Sequence, residues 1–155
     1  MISKNPQSWL QLNRIVRFGD VDSAGVIHFY QLLRWSHEAW EESLDCYGLS
    51  AHEVFPCASS EVADPKIALP IVHCRADFRH PIRIGDRLVV ELRPERIDLS
   101  IFQVQTTFLR GDVVVAQGIL RHLAINSDNR QRCAMPKDIQ LWLEASSLNQ
   151  GLQVI

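Results

Sequence analysis

The sequence predicts an α+β fold in which one curved antiparallel sheet wraps around one long helix. Three observations predict it. The length, 155 residues, is that of a single domain. One helical pattern of about 18 residues lies near the N-terminus, and residues 57–126 read almost throughout as strands. Because strands and helices do not alternate, a doubly wound parallel sheet is excluded.

Composition and charge narrow the class of protein. Hydrophobic residues make up 46% of the chain and charged residues 22%, as in globular proteins. The net charge of −2 lacks the basic footprint of a nucleic-acid-binding protein. Apolar runs are too short for a membrane span, and residues 1–11 are too polar for an export signal. We therefore expect a cytoplasmic protein whose cysteines, at positions 46, 57, 74 and 133, are reduced and buried as small hydrophobes.

The first elements are a strand and the long helix. Residues 9–18 are rich in β-formers and predict the first strand, and the turn-rich segment 19–25 follows it. From Phe29 the period changes to three and four residues, and Gly48 stands where a left-handed helix end is expected. The predicted buried face of this helix comprises Phe29, Leu32, Leu33, Ser36, Trp40, Ser43, Leu44 and Tyr47. Its small residues favour close packing against a sheet.

The rest of the chain predicts strands and a final helix. Residues 49–54 are open to a short helical turn. The predicted strands are 59–63, 67–79, 87–97, 101–110 and 113–126, with a hairpin turn at Arg110-Gly111-Asp112. Pro136 opens a short helix through Ala145, and the tail 146–155 has no clear pattern. We expect a single domain over 1–155 with its core within about 9–145.

The segment between the first strand and the long helix is the best candidate for chemistry. Asp20 and Asp22 lie just before the predicted helix, beside its unpaired amides and the positive end of its dipole. Such amides can hold an oxyanion, and a carboxylate can act there as a base or nucleophile. From spacing alone, a turn-closing or capping aspartate is the more common outcome.

Two motifs carry a resemblance to a known family. The run Asp20-Val21-Asp22-Ser23-Ala24-Gly25-Val26, with Phe29 and Tyr30 opening a helix, resembles the hotdog-fold acyl-CoA thioesterases of the 4-hydroxybenzoyl-CoA thioesterase type. Phe78, Pro81, Gly85 and Asp86 repeat a second habit of that family. Within the family, the run from Phe18 to Tyr30 looks most like members that hydrolyse 1,4-dihydroxy-2-naphthoyl-CoA in cyanobacterial phylloquinone synthesis. The resemblance covers about residues 9–145.

The resemblance implies roles for several residues of this segment. Asp22 is the implied catalytic residue, which attacks the thioester carbonyl or activates water. The backbone N–H of Phe29 is the implied oxyanion donor, and Gly25 allows a close backbone approach or a positive φ. Asp20 is expected to be a turn residue. Many relatives have proline directly after the second aspartate, where this chain has Ser23.

Other residues are candidates for substrate binding. His28 can reach a substrate hydroxyl, although a lone histidine at a helix boundary is more often a cap or surface residue. Tyr30, with Phe29 and Trp35, can line an aromatic acyl pocket, although core packing is the more common fate of each. Arg96 lies in a turn between strands, where the family receives the nucleotide, so the resemblance slightly favours it as a contact for coenzyme A phosphates. Strand arginines that alternate with acids are more often solvated cross-strand partners. The carboxylates of the helix, Glu38, Glu41 and Glu42, are expected to form a solvated face.

The functional expectation is therefore an acyl-CoA thioesterase that needs no cofactor and no metal. The implied substrate is an aromatic acyl-CoA, with 1,4-dihydroxy-2-naphthoyl-CoA foremost. Hydroxybenzoyl-CoA or a broader acyl range stays open, as does a non-catalytic acyl-CoA-binding domain, because a fold does not fix a function. The resemblance also implies a homo-oligomer, a dimer or a tetramer built from dimers, with sites between subunits. The unpaired edge of a lone sheet supports this expectation.

Overall fold

A five-stranded antiparallel sheet and one long helix dominate the structure. The computed structural model describes residues 5–50, 54–55 and 66–147. Its helices are α1 (Gln7–Leu10), α2 (Phe29–Tyr47) and α3 (Lys137–Ser147), with a 3-10 turn at Phe18–Asp20. Its strands are β1 (Gln11–Ile15), β2 (Ile67–Ala68), β3 (Ile71–Phe78), β4 (Arg87–Arg96), β5 (Ile101–Arg110), β6 (Val113–Leu123) and β7 (Ile125–Asn126). The predicted α+β class is confirmed.

The strands of the large sheet are all antiparallel but do not follow chain order. The order in the large sheet is β1-β4-β5-β6-β3, with every neighbouring pair antiparallel. The predicted hairpin joins β5 to β6, with Gly111 at φ 62° in its turn. Strands β2 and β7 form a separate two-stranded sheet. The described sheet therefore has β1 and β3 at its edges.

Helix α2 lies against this sheet by its small residues. Its buried face is Gln31, Leu32, Trp35, Ser36, Ala39, Trp40, Ser43 and Leu44. A Cβ added to Gly118 of β6 would stand 2.7 Å from the Ser36 hydroxyl oxygen, which itself donates to the Leu32 carbonyl. Gly48 ends the helix at φ 109°, as the sequence predicts. The close approach of helix and sheet therefore depends on a serine and a glycine that face each other.

The core contains all four tryptophans of the chain. Trp9, Trp35, Trp40 and Trp142 are buried. Two indole N–H groups donate to serine hydroxyls, Trp9 to Ser146 at 3.1 Å and Trp142 to Ser43 at 3.0 Å. These two bonds join α3 to α1 and α2, as buried indole N–H groups usually find an acceptor. The buried Trp40 N–H is an exception, since it has no hydrogen-bond partner among the described residues.

A histidine is buried beside these tryptophans. The His122 ring stacks on Phe102, with centroids 5.0 Å apart, and meets Trp40 edge-on. Its Nδ1 lies 2.9 Å from the Leu69 carbonyl oxygen, while Nε2 is buried and has no hydrogen-bond partner in the described part of the chain. Burial lowers the pKa of His122 to about 4 and, to a lesser degree, so does the charge of His37; the Leu69 hydrogen bond opposes both. The ring is therefore neutral at pH 7.

Three predicted strands differ from those in the structure. The predicted first strand begins too early, because Trp9 and Leu10 belong to α1, a turn that starts after Pro6 and lets Trp9 enter the core. The predicted strand 67–79 is divided at Pro70, which has no N–H for the ladder. The predicted strand 113–126 is divided at Ala124, whose N–H donates to Ser100 instead. The predicted strand 59–63 lies outside the described residues.

The remaining expectations concern the ends of the chain and the cysteines. Helix α3 begins one residue after Pro136 and runs to Ser147, two residues beyond the prediction. Residues 49–50 form no helix. Cys46 and Cys74 are exposed and Cys133 is half-buried, so the expectation of buried cysteines is wrong for the first two; Cys57 is not among the described residues. In the described part of the chain no helix could cross a membrane.

Candidate active site

A short hairpin joins the 3-10 turn to helix α2. Val21 and Ile27 pair as an antiparallel bridge, and the Asp22 N–H donates to the Val26 carbonyl at 2.8 Å. The His28 N–H donates to the Asp20 carbonyl at 3.0 Å. We call residues 20–28 the Asp22 hairpin. It places Asp22 directly across from Val26.

The two aspartates of this hairpin have different surroundings. One Asp20 carboxylate oxygen accepts from the Arg17 N–H at 2.8 Å and so closes the 3-10 turn, as the sequence predicts. Asp22 is half-buried, and its Oδ1 accepts from the Ala24 N–H at 2.8 Å. No hydrogen bond of Asp22 Oδ2 is found among the described residues. One carboxylate oxygen thus fixes the orientation of Asp22 and leaves the other for chemistry.

Gly25 closes the tip of the hairpin. Its N–H donates to the Asp22 carbonyl at 3.0 Å, and its φ is 79°. That left-handed conformation is accessible to glycine without the strain of a side chain. The prediction that Gly25 permits a positive φ is therefore confirmed.

Helix α2 begins with amides that no side chain caps. His28 is the N-cap residue, and it makes no side-chain cap hydrogen bond. The Gln31 N–H donates to the His28 carbonyl, and among the described residues no acceptor is found for the N–H groups of Phe29 and Tyr30. Free amides at a helix start, together with the helix dipole, suit an oxyanion.

The connection between β3 and β4, residues 79–86, lies against the Asp22 hairpin. The Ile27 N–H donates to the Ile82 carbonyl at 3.0 Å, and Val26 bridges Arg83. The other end of the connection is bonded to the end of β1, since Gly85 N–H donates to the Val16 carbonyl at 2.8 Å. Backbone hydrogen bonds therefore fix this connection on two sides.

An ion pair between Asp86 of this connection and Arg110 of β5 also stabilises it. Arg110 Nη1 lies 2.8 Å from Asp86 Oδ2 and 2.9 Å from the Pro81 carbonyl oxygen. The same Asp86 oxygen accepts from the Arg83 N–H at 2.9 Å. Asp86 belongs to a motif noted in the sequence, whereas nothing in the sequence pairs it with Arg110, which is 24 residues away.

A cleft of about 400 Å³ opens between the helix start and this connection. We call it the Phe29 cleft. Its described lining consists of Val26, Ile27, Phe29, Phe78, Arg79, His80, Pro81 and Ile82. Six of these eight residues are apolar or aromatic, as is common where a protein binds an organic ligand. Arg79, His80 and Ile82 were not among the predicted site residues; the Phe78-Pro81-Gly85-Asp86 motif around them was the available signal.

The aromatic candidates differ in burial. Phe29 is 75% exposed and Tyr30 is 48% exposed, so core packing is wrong for both. The buried face of α2 starts only at Gln31, and the first two residues precede it. His28 stacks on Tyr30 with ring centroids 5.1 Å apart, and Phe29 meets Tyr30 edge-on at 5.7 Å. Trp35 is in the core beside Phe108.

The remaining candidates lie away from the cleft. Arg96 is the last residue of β4, and its Nε donates to the Asp98 carbonyl at 3.3 Å. It borders a smaller cleft of about 260 Å³ that also contains Glu95 and Glu144. The carboxylates on α2 are paired: Glu38 with Arg34, Glu41 with His37 and Glu42 with Arg14.

Comparison with protein families and known proteins gives consistent matches. The model of the thioesterase-like superfamily matches residues 16–143. A curated protein of the cyanobacterium Prochlorococcus marinus, named 1,4-dihydroxy-2-naphthoyl-CoA hydrolase, is 57% identical over 155 residues and is covered completely, as is this chain.

Solved structures agree with these matches. A crystal structure from Prochlorococcus marinus strain MIT 9313, described as a candidate thioesterase, aligns with a TM-score of 0.90 and 54% identity, over 92% of this chain and 99% of that one. A 1,4-dihydroxy-2-naphthoyl-CoA thioesterase from Synechocystis aligns with a TM-score of 0.76 and 28% identity, over 86% and 94% of the two chains.

Proposed function

Because the chain belongs to the thioesterase-like superfamily, we propose that it hydrolyses 1,4-dihydroxy-2-naphthoyl-CoA to the free acid and coenzyme A. The observation that carries the proposal is the identity of 57%, over both complete chains, with a relative of that name. The predicted hotdog fold and the predicted family are both confirmed by these matches. The protein is thus proposed to be a thioester hydrolase whose reaction is a step of phylloquinone synthesis.

The chemical step is assigned to Asp22. In one route its carboxylate attacks the thioester carbonyl carbon, the C–S bond breaks, and coenzyme A leaves as a thiolate that takes a proton from solvent. Water then hydrolyses the resulting anhydride and regenerates the carboxylate. In the other route Asp22 takes a proton from water as the water oxygen attacks the carbonyl, and that proton ends on the departing thiolate. The unbonded Oδ2 of Asp22 supports both routes equally.

The carbonyl oxygen is assigned to the start of helix α2. The free N–H of Phe29 and the positive end of the helix dipole stabilise the negative charge that develops on this oxygen. Gly25 acts indirectly, because its positive φ closes the hairpin that sets Asp22 beside the helix start. His28 and Tyr30, stacked at the same helix start, are proposed to contact the acyl group.

Arg96 remains a proposed contact for a coenzyme A phosphate. Its guanidinium is exposed at the end of β4, which suits an extended ligand that reaches across the surface. Glu95 and Glu144, which border the same cleft, oppose an anion there. A phosphate on Arg96 must therefore lie on the side of the guanidinium away from these two carboxylates.

The test is thiol release from a panel of acyl-CoA thioesters by the wild type and by Asp22→Asn. The panel contains 1,4-dihydroxy-2-naphthoyl-CoA, hydroxybenzoyl-CoA, phenylacetyl-CoA and two aliphatic acyl chains. Asparagine keeps the acceptor for the Ala24 N–H but cannot serve as a base or nucleophile, so we expect turnover to fall at least ~100-fold. Asp128→Asn, in an exposed turn, is the matched control and should leave turnover unchanged.

Each outcome of this test has a definite meaning. Asp22-dependent preference for the dihydroxynaphthoyl compound supports both the reaction and the substrate. Asp22-dependent turnover of several acyl groups supports the mechanism and rejects the substrate assignment. An active, folded Asp22→Asn variant rejects Asp22 as the catalytic residue. If no compound is turned over, the alternative of an acyl-CoA-binding domain without catalysis takes its place.

The oligomeric state is also a proposal. Phe18, Phe29 and Tyr30 are exposed together around the Asp22 hairpin, and β3 is an edge strand of the described sheet with Ile71 and Val72 exposed. Exposed aromatics and an open sheet edge are usually covered by a partner. We propose a dimer or a tetramer of dimers in the cytoplasm, with the site completed between subunits.

A further inference from the structure

We propose that His80 is a specificity-determining residue that hydrogen-bonds a ring hydroxyl of the acyl group bound in the Phe29 cleft. The inference rests on the proposed function and identifies the side chain that recognises the hydroxylated ring. It depends on the composition of the cleft, on its position beside the Asp22 hairpin, and on the way the His80 backbone is held.

The cleft has the composition that a hydroxylated aromatic ring requires. Its apolar walls are formed by Phe29 and Phe78 together with aliphatic residues. Its volume of about 400 Å³ lies within the range of small-molecule sites. Of its described lining residues, Arg79 and His80 are the two with polar side chains. A ring hydroxyl that enters the cleft beyond the helix start therefore has these two as its described side-chain partners, and pairing favours binding because an unpaired buried hydroxyl weakens it.

The cleft also lies where the acyl group must extend. Val26 and Ile27 of its lining belong to the Asp22 hairpin, and Phe29 is the residue whose N–H is assigned to the carbonyl oxygen. An acyl group whose carbonyl is held at that N–H therefore has the cleft next to its ring. Arg79 and His80, from the β3–β4 connection, form the wall on the other side.

His80 is the better placed of the two polar residues. The Arg79 guanidinium already donates to the Gln117 side-chain oxygen at 2.7 Å. In the described structure no hydrogen bond or ion pair engages the His80 imidazole, and a neutral imidazole offers one donor and one acceptor. A hydroxyl is likewise a donor and an acceptor, so the two groups can pair in either direction.

The backbone around His80 is fixed before any ligand binds. The His80 N–H donates to the Val115 carbonyl at 3.1 Å, and Pro81, which follows it, restricts its backbone to extended conformations. The next residue, Ile82, accepts from Ile27 of the hairpin. His28, the other histidine of this region, stacks instead on Tyr30 and is absent from the described lining. Because its backbone is already fixed, ordering the exposed His80 side chain on a ligand involves its side-chain torsions alone.

The test compares two substrates that differ only in the ring hydroxyls, 1,4-dihydroxy-2-naphthoyl-CoA and 2-naphthoyl-CoA. Thiol release gives kcat/KM for each with the wild type, His80→Phe and His80→Gln. Phenylalanine keeps an aromatic ring but no hydrogen-bonding group. We expect His80→Phe to reduce the preference for the dihydroxy compound roughly 5- to 10-fold, as loss of one neutral hydrogen bond does. Glutamine keeps a donor and an acceptor and should restore most of the preference.

The control variant is His73→Phe, which changes an exposed histidine of β3 outside the described lining and should leave the preference unchanged. If the wild type hydrolyses the dihydroxy compound but His80→Phe keeps its preference, the role of His80 is rejected and the proposed function stands. An equal fall on both substrates also rejects that role. If the wild type does not hydrolyse the dihydroxy compound, the proposed function fails, and the role of His80 fails with it.

Discussion

At the scale of single residues, His122 is the most unusual group in the core. It is a titratable side chain enclosed by Trp40 and Phe102, and its Nε2 has no hydrogen-bond partner among the described residues. The His37 ring, which is paired with Glu41, lies 5.6 Å from the His122 ring between centroids. A proton on His122 would place a charge in this apolar cluster, and burial opposes that charge. The protonation of one residue is therefore linked to the stability of the whole fold.

We predict that stability falls as the pH is lowered through the range in which unfolded histidine binds a proton. The pKa of His122 is about 4 in the folded protein and 6.5 as an ordinary histidine, so its contribution is complete above pH 6.5 and is lost as the pH falls towards 4. The expected loss is about 3 kcal/mol in the free energy of unfolding. Urea unfolding of the wild type and His122→Phe at several pH values measures it. An unchanged pH slope in the variant would show that other groups are responsible.

The same residue shows how far the sequence informs single positions. His122 alternates in register with Gly118 and Leu120 on β6, so the strand pattern itself indicates an inward ring. The turn role of Asp20 and the positive φ of Gly25 were predicted, since both depend on neighbours within a few residues. The Asp86–Arg110 pair was not predicted, because it joins residues that only the fold brings together.

At the scale of elements, the contact between α2 and β6 depends on two small residues. Ser36 and Gly118 leave no space between helix and sheet for a further side chain. The sequence predicted a helix packed by small residues on a sheet, because helical spacing is a local signal. The sequence prediction missed the breaks at Pro70 and Ala124. Pro70 is a local signal for a strand break that was not used, whereas the break at Ala124 depends on a hydrogen bond to Ser100 that only the fold brings together.

We predict that Gly118→Ala destabilises the protein and that Ser36→Ala rescues it. The added Cβ would stand 2.7 Å from Ser36 Oγ but 3.7 Å from Ser36 Cβ, so the serine hydroxyl is the group in conflict. We expect a cost of about 1–3 kcal/mol for the single variant. A double-mutant cycle of unfolding free energies measures the coupling between the two sites. Additive effects would argue against direct contact at these positions.

At the scale of the whole molecule, the described sheet ends in β3, whose free edge carries exposed apolar residues. Ile71, Val72 and Phe78 are all exposed on this strand. Two predictions from the sequence concern this scale: an antiparallel meander, which contains β3, and a homo-oligomer. The sequence could not predict which apolar residues are exposed at a sheet edge, because exposure depends on how the strands are ordered in the sheet.

We predict that the wild type is at least a dimer at micromolar concentration and that Val72→Lys shifts it towards the monomer. A lysine on an edge strand disfavours strand pairing between copies. Light scattering after size-exclusion chromatography gives the mass directly. Val113→Lys, at an equally accessible position on β6, is the control and should keep the wild-type mass. A monomeric wild type would contradict both the predicted assembly and a site between subunits.

The burial of all four tryptophans has a consequence for spectroscopy. Trp9, Trp35, Trp40 and Trp142 are enclosed in the core, and the described lining of the Phe29 cleft contains none of them. Their emission therefore reports whether helices α1, α2 and α3 remain packed together. It is a signal for unfolding, and a ligand in the Phe29 cleft would contact none of these indoles through the described lining. Unfolding and turnover can therefore be followed separately, by indole fluorescence from the core and by an assay of released thiol.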